Sequence, residues 1–365
     1  MLVQSALLLL VLVGAASCVS DSKDSPQVER VLVVYLGGDN NLSHEVSEKL
    51  EALQAGFDGQ PQHRILVYKD ARGEQPTLLE LQKQEPPTRL ASYAEENSAD
   101  AQVLQRVVQT ALARYPQAQF NLLVFSHASG WLPEGSYADA AARSIIIDGR
   151  HEMELKDFAA ALPDAAFESI VFEACHMAGI EVFYELRHKA KFIAASSAEI
   201  VSPGFTALYA SGAVNQLVAG DTEGFMKQVF AHYQQESGVR QSATFSLIRT
   251  EALERLAACV RTSADWTRPL DYSQIQKFDR YGQRFFFDWK DAFKQLLPQA
   301  EQELQLEELL QEVVVWKGAT PYFMLGYSGF PIRSHSGITT YLPQPDYSKL
   351  NAAYQALSWY QAIQP

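Results

Sequence analysis

A nucleophilic residue and a basic one stand 48 positions apart (175 − 127) at matching points of two similar segments. "NLLVFSH" ends in His127 and "SIVFEAC" ends in Cys175, so each apolar run closes on a side chain that can exchange a proton. A thiol ionises poorly near neutral pH until a base or a positive charge helps it, so a catalytic cysteine needs such a partner. In an open parallel sheet the carboxyl ends of the strands share one edge, and ligand sites form there. If both runs are strands of one sheet, Cys175 can act as nucleophile and His127 as general acid and base. A plainer account also fits these residues: Cys175 packs as a small apolar side chain, and His127 is a polar loop residue. The other seven of the eight histidines offer no HExxH motif and no Cys/His metal spacing, so no metal site is expected. His176 adjoins the cysteine, but successive residues usually point in different directions. GxSxG, GxxxxGK and GxGxxG motifs are absent.

Positioning this pair requires a set of buried strands, and the chain supplies them. Val31–Leu36 in "RVLVVYLGGDNNLS" is almost wholly aliphatic, which predicts a strand buried on both faces. Gly37 and Gly38 then turn the chain, and Asn41 or Ser43 is placed to cap a helix through "HEVSEKLEALQ". "RILVYKD" is the next strand and "TLLELQKQ" a short edge strand. The stretch "SADAQVLQRVVQTALARYP" reads as an amphipathic helix with a Ser98 or Asp100 cap and a proline stop. The histidine strand follows, then "SIIIDG", a helix over 154–162, the cysteine strand, the helix "GIEVFYELRHKA" and the strand "FIAASSAE". Strands alternating with helices predict an α/β fold with a mainly parallel sheet covered on both faces. Beyond about residue 220 helical segments dominate. We divide the chain into residues 30–220 and a C-terminal portion, 221–365, that packs on the first.

The 365 residues are 47% hydrophobic and 20% charged, a globular composition with enough length for a large core. A formal net charge of −13 and the lack of a Lys/Arg run argue against nucleic acid as partner. The start, "MLVQSALLLLVLVGAASC", reads as an export signal over 1–17, too short for a comfortable membrane span. Ala15, Ala16 and Ser17 before Cys18 resemble the bacterial lipobox, which implies a lipidated Cys18 and a polar tether over 18–29. The protein is then expected in the bacterial envelope or on the surface, held to the membrane by lipid, with plain secretion as the alternative. A monomer is expected. With Cys18 lipidated, Cys175 and Cys259 remain, which is no disulfide framework. Cys259 lies among Leu253, Leu256, Ala257 and Val260 at helical spacing and reads as a buried small side chain.

At the candidate pair the chain resembles the clostripain-like cysteine peptidases, family C11 of the caspase-fold clan. The resemblance is carried in order by "YLGGDNNL", "HASGW", "EACHM", "EVFYEL", "FIAASSAEIVSPGF" and "SGITTYLP", and covers about residues 30–360. It implies a caspase-like α/β/α sandwich, with Cys175 as nucleophile and His127 as acid and base toward the leaving amine. It also implies an oxyanion site made by backbone N–H groups of Cys175 and of Ala128, Ser129 and Gly130. Many relatives have glycine where this chain has Ala128. They prefer Arg or Lys before the scissile bond and bind it through an aspartate two residues before the cysteine. That position is Glu173 here, and a carboxylate is retained. The loop "IVSPGFTA" has no acid where relatives often carry one, and Glu199 just upstream is the substitute.

The resemblance thus implies an exported cysteine endopeptidase acting on peptides or proteins. Relatives often mature by cleavage between histidine and cysteine, and Arg143 is the best-placed basic residue in that interval. The sequence itself requires no cofactor. Calcium enters through the resemblance alone, since no EF-hand loop is present. A second class of function stays open at this point: an inactive, peptidase-like surface lipoprotein that binds peptides in the same cleft.

Overall fold

The computed structural model describes residues 27–94, 96–133, 136, 145–149, 151–280 and 282–364. Cys18, the export signal and nearly all of the tether fall outside the described residues, as does Arg143.

The described residues build a nine-stranded sheet. Its strands are β1 (Arg30–Gly38), β2 (His63–Ala71), β3 (Thr77–Gln82), β4 (Glu85–Ser92) and β5 (Gln119–Phe125). They continue as β6 (Phe167–Glu173), β7 (Ala190–Ser196), β8 (Thr244–Arg249) and β9 (Val314–Ala319). The spatial order is β9-β8-β7-β6-β5-β1-β2-β3-β4. The five central strands, β7 through β2, pair in parallel, while β3 and β4 at one end and β8 and β9 at the other run antiparallel.

Period-2 alternation divides the core into two layers. Val31, Val33 and Tyr35 of β1 face one side, Leu32, Val34 and Leu36 the other, and all six are fully buried. The first side is covered by α2 (Ala101–Arg114), α3 (Leu155–Ala161), α4 (Ile180–Glu185), α8 (Leu253–Ser263) and the later helices α9 (Trp289–Leu296), α10 (Ala300–Val313) and α11 (Ser358–Ile363). The second is covered by α1 (Ser43–Gly56), α5 (Thr206–Ala210), α6 (Val214–Ala219) and α7 (Thr222–Gln235). This is the caspase-like α/β/α sandwich with a more helical C-terminal portion. The residues beyond 221 do more than cover it, since β8 and β9 extend the same sheet.

Two local expectations meet a different outcome. β4 was not foreseen, because "EPPTRLAS" carries Pro86 and Pro87. Among the described residues its only sheet neighbour is β3, and an edge strand tolerates prolines that cannot donate to a ladder. Neither Asn41 nor Ser43 caps α1. Leu42 holds the N-cap position without a side-chain bond. Ser43 Oγ accepts instead from Arg72 N, and Asn41 turns toward the histidine. Asp100 caps α2, accepting from Gln102 N.

Candidate active site

The parallel register sets the geometry. β5 and β6 are adjacent, and Phe125 is paired with Glu173. His127 and Cys175 each lie two residues beyond that last pair, so the histidine and the thiol leave the sheet side by side at its carboxyl edge. Among the described residues the two side chains are not hydrogen-bonded to each other.

The His127 ring is held from the end of β1. Its Nε2 lies 2.8 Å from Asn41 Oδ1. An amide oxygen only accepts, so this contact puts the ring proton on Nε2 and leaves the Nδ1 lone pair to take a proton. Burial pushes the His127 pKa below its ordinary value, which favours the neutral ring. Asn41 went unrecognised as a site residue in the sequence, although it stands inside the "YLGGDNNL" motif.

Cys175 retains partial exposure, and burial is the largest influence on its thiol. Its Sγ accepts from Ile200 N at 3.4 Å. Its pKa is pushed up to about 12, first by burial and then by the Glu199 carboxylate, with Ile200 N–H and Arg280 acting in the opposite direction. The resting thiol is therefore neutral. His176, next in the chain, adopts a left-handed conformation at φ 57° and turns into the core. It stacks on Phe286 at 4.4 Å, and its Nδ1 lies 3.1 Å from Ser197 O.

Ala128, Ser129 and Gly130 are buried beside the cysteine loop. Gly130 has φ +67°, and a Cβ there would come within 2.7 Å of His176 O, so the residue must stay glycine for the two loops to touch. Among the described residues, the N–H groups of Cys175, Ala128, Ser129 and Gly130 find no protein acceptor. They are spare donors near the thiol.

The two expected pocket acids have different fates. Glu173 is sealed: Lys49 Nζ sits 2.6 Å from its Oε1, and the two side chains are 0% and 1% exposed. Phe205 N donates to the same oxygen at 2.5 Å and Tyr209 Oη donates to Oε2 at 2.6 Å. Lys49 in turn donates to Pro203 O and Thr206 Oγ1. Gly204 passes directly over this pair; a Cβ there would lie 2.2 Å from Glu173 Oε1. The carboxylate that the sequence offered to a substrate thus serves an internal lysine, which a reading of local motifs could not detect because the two are 124 positions apart. Glu199 borders the thiol, with Oε1 2.7 Å from Arg280 Nε and Oε2 3.9 Å from His176 Nε2. Cys259 lies in α8 at 6% exposure as a core residue. Among the described residues no group of three or more His, Cys, Asp or Glu side chains could hold a metal ion, and no helix is long and apolar enough to cross a membrane.

With this geometry in view, the comparisons with known proteins fall into line. The Clostripain family model matches residues 34–296, and the chain belongs to that family of C11 cysteine peptidases. A solved structure titled as an inactive zymogen C11 protease from Parabacteroides distasonis is similar at 28% identity and TM-score 0.81, covering 93% of this chain and 99% of that one. A secreted C11 cysteine protease from Bacteroides thetaiotaomicron, in complex with an irreversible peptide inhibitor, is similar at 26% identity and TM-score 0.79, covering 92% and 98%. No curated protein matches the chain.

Proposed function

We propose that this protein is an exported cysteine endopeptidase that uses a Cys175–His127 dyad and cleaves after Arg or Lys. The observation that carries the reading is the shared offset of both residues beyond the Phe125–Glu173 pair, with His127 oriented by Asn41. The secreted relative bound to a peptide inhibitor supports it.

In the proposed reaction His127 Nδ1 takes the thiol proton as Cys175 Sγ attacks the scissile carbonyl carbon. The carbonyl oxygen becomes an oxyanion that accepts from the spare N–H groups of Cys175 and the Ala128–Gly130 loop. The C–N bond then breaks, His127 protonates the departing amine, and a thioester remains on Cys175. Water attacks that thioester after giving a proton to His127. The C–S bond breaks, and the proton returns to sulfur. No metal or cofactor is required by these steps.

A formal net charge of −13 supports attraction of a basic substrate side chain. Glu173 acts through its pair with Lys49, holding the end of β6, rather than by meeting substrate. Cleavage after Arg143 and lipid attachment at Cys18 complete the proposal and rest on the sequence. A zymogen among the structural relatives is compatible with such processing. A second reading, a peptide-binding lipoprotein without activity, draws on the neutral resting thiol. Incubating a peptide library with wild type and Cys175→Ala separates the two. Cleavage C-terminal to Arg or Lys by wild type alone supports the peptidase, and no cleavage by either supports the binder.

A further inference from the structure

We propose that Glu45, in the first turn of α1, is the carboxylate that receives the basic side chain of the substrate beside Cys175. This inference rests on the peptidase reading and names the residue that gives it selectivity. Glu199 and Glu45 act on the thiol, Glu173 closes its strand two residues earlier, and two of these three carboxylates already have internal cations. Glu173 is closed by Lys49 with no accessible oxygen, and Glu199 is paired with Arg280. Glu45 is bonded instead to a hydroxyl: Ser202 Oγ donates to its Oε1 at 2.9 Å. No cationic side chain among the described residues pairs with it.

Its place beside the nucleophile follows from one short loop. Ile200 N donates to Cys175 Sγ, and Ser202, two residues on, reaches Glu45. The same loop passes Tyr233, whose hydroxyl donates to Val201 O. The Tyr233 phenol is raised by burial first and then by Glu173, Cys175 and Glu45, which gathers these groups around one spot. The Glu45 charge also acts on the Cys175 thiol, after Glu199 and Arg280. Glu45 keeps partial exposure, whereas Glu173 has none to spare. A lysine or arginine side chain entering between α1 and the 200–203 loop meets an acid whose present partner is neutral. It gains a charge-assisted hydrogen bond there without displacing an internal cation.

The test compares two matched peptides that differ only in lysine against norleucine before the scissile bond. The ratio of kcat/KM for lysine over norleucine should fall about 10- to 100-fold in Glu45→Gln, the cost of losing a hydrogen bond to a charged group. Glu48→Gln, one turn along the same helix, should keep the wild-type ratio. Binding of the same peptides to Cys175→Ala and to Glu45→Gln/Cys175→Ala reads the pocket without turnover. Loss of the lysine advantage in the double variant supports the proposal, and an undiminished advantage there overturns it. Failure of the peptidase reading is a separate result: wild type then cuts neither peptide, while the binding ratio still judges Glu45.

Discussion

Cys175 ends a parallel strand at the carboxyl edge of the sheet, whereas Cys259 lies within α8 against the core. Burial raises the pKa of both thiols. What differs is the remainder of each environment. Around Cys175 stand Ile200 N–H, Glu199 and Arg280, so a hydrogen-bond donor and two opposite charges act on the thiol. Around Cys259 the Ser263 hydroxyl is the only other influence among the described residues. A displaced pKa alone therefore does not distinguish a nucleophile from a packed side chain in this fold. Location at the strand end, the adjacent histidine strand and spare backbone donors set Cys175 apart from Cys259.

The largest expected effect breaks the symmetry between the thiols outright. Cys175→Ala should lower kcat by about 10⁴-fold or more, as removal of a nucleophile does, while Cys259→Ala should stay within about twofold. Comparable losses in the two variants would remove the distinction. Next comes the buried pair that braces the strand end. Lys49→Met strands the Glu173 carboxylate and should cost about 3 kcal/mol or more in urea unfolding. Lys49→Met/Glu173→Gln should recover most of that loss. An unchanged midpoint in the single variant would contradict the role assigned to the pair.

A smaller effect is expected at Asn41. Asn41→Ala should reduce kcat by about 10- to 100-fold through misplacement of the His127 ring. KM should change little and the fold should remain intact. A rise in KM at constant kcat would make Asn41 a substrate contact instead of a positioning residue.

The mildest test concerns alkaline pH. The folded chain holds the Cys175 proton up to about 12, against an ordinary 9.0. The unfolded chain releases it earlier, so this contribution to stability is complete below about pH 9 and is lost as pH rises toward 12. Between these limits wild type should lose about 1.4 kcal/mol per pH unit more than Cys175→Ala. Equal slopes would show that the sulfur is as well solvated as in the unfolded chain.

Much of this was legible in residue order. Continuous aliphatic runs marked β1, β2, β5, β6 and β7, because strands buried on both faces need apolar side chains at every position. The strand ends marked Cys175 and His127. The sequence said less about long-range pairing. Nothing near Glu173 discloses that Lys49 fills its carboxylate, and nothing near Glu45 discloses that the 200–203 loop brings it to the thiol. β4 was hidden by its two prolines, and Asn41 by its resemblance to a helix cap. Each of these depends on which segments the fold brings together, and local composition carries no record of that.

The strand order also has a consequence for how the molecule is divided. β1–β5 occupy one half of the sheet and β6–β9 the other, so His127 and Cys175 stand on opposite banks of a single seam. The halves still interlock, since α6 from the later half packs beneath β1 and β2, and α5 packs on α1. Among the described strands, chain order changes side of that seam once, between β5 and β6. The architecture is that of two interlocked fragments sharing one chain, with His127 on one and Cys175 on the other.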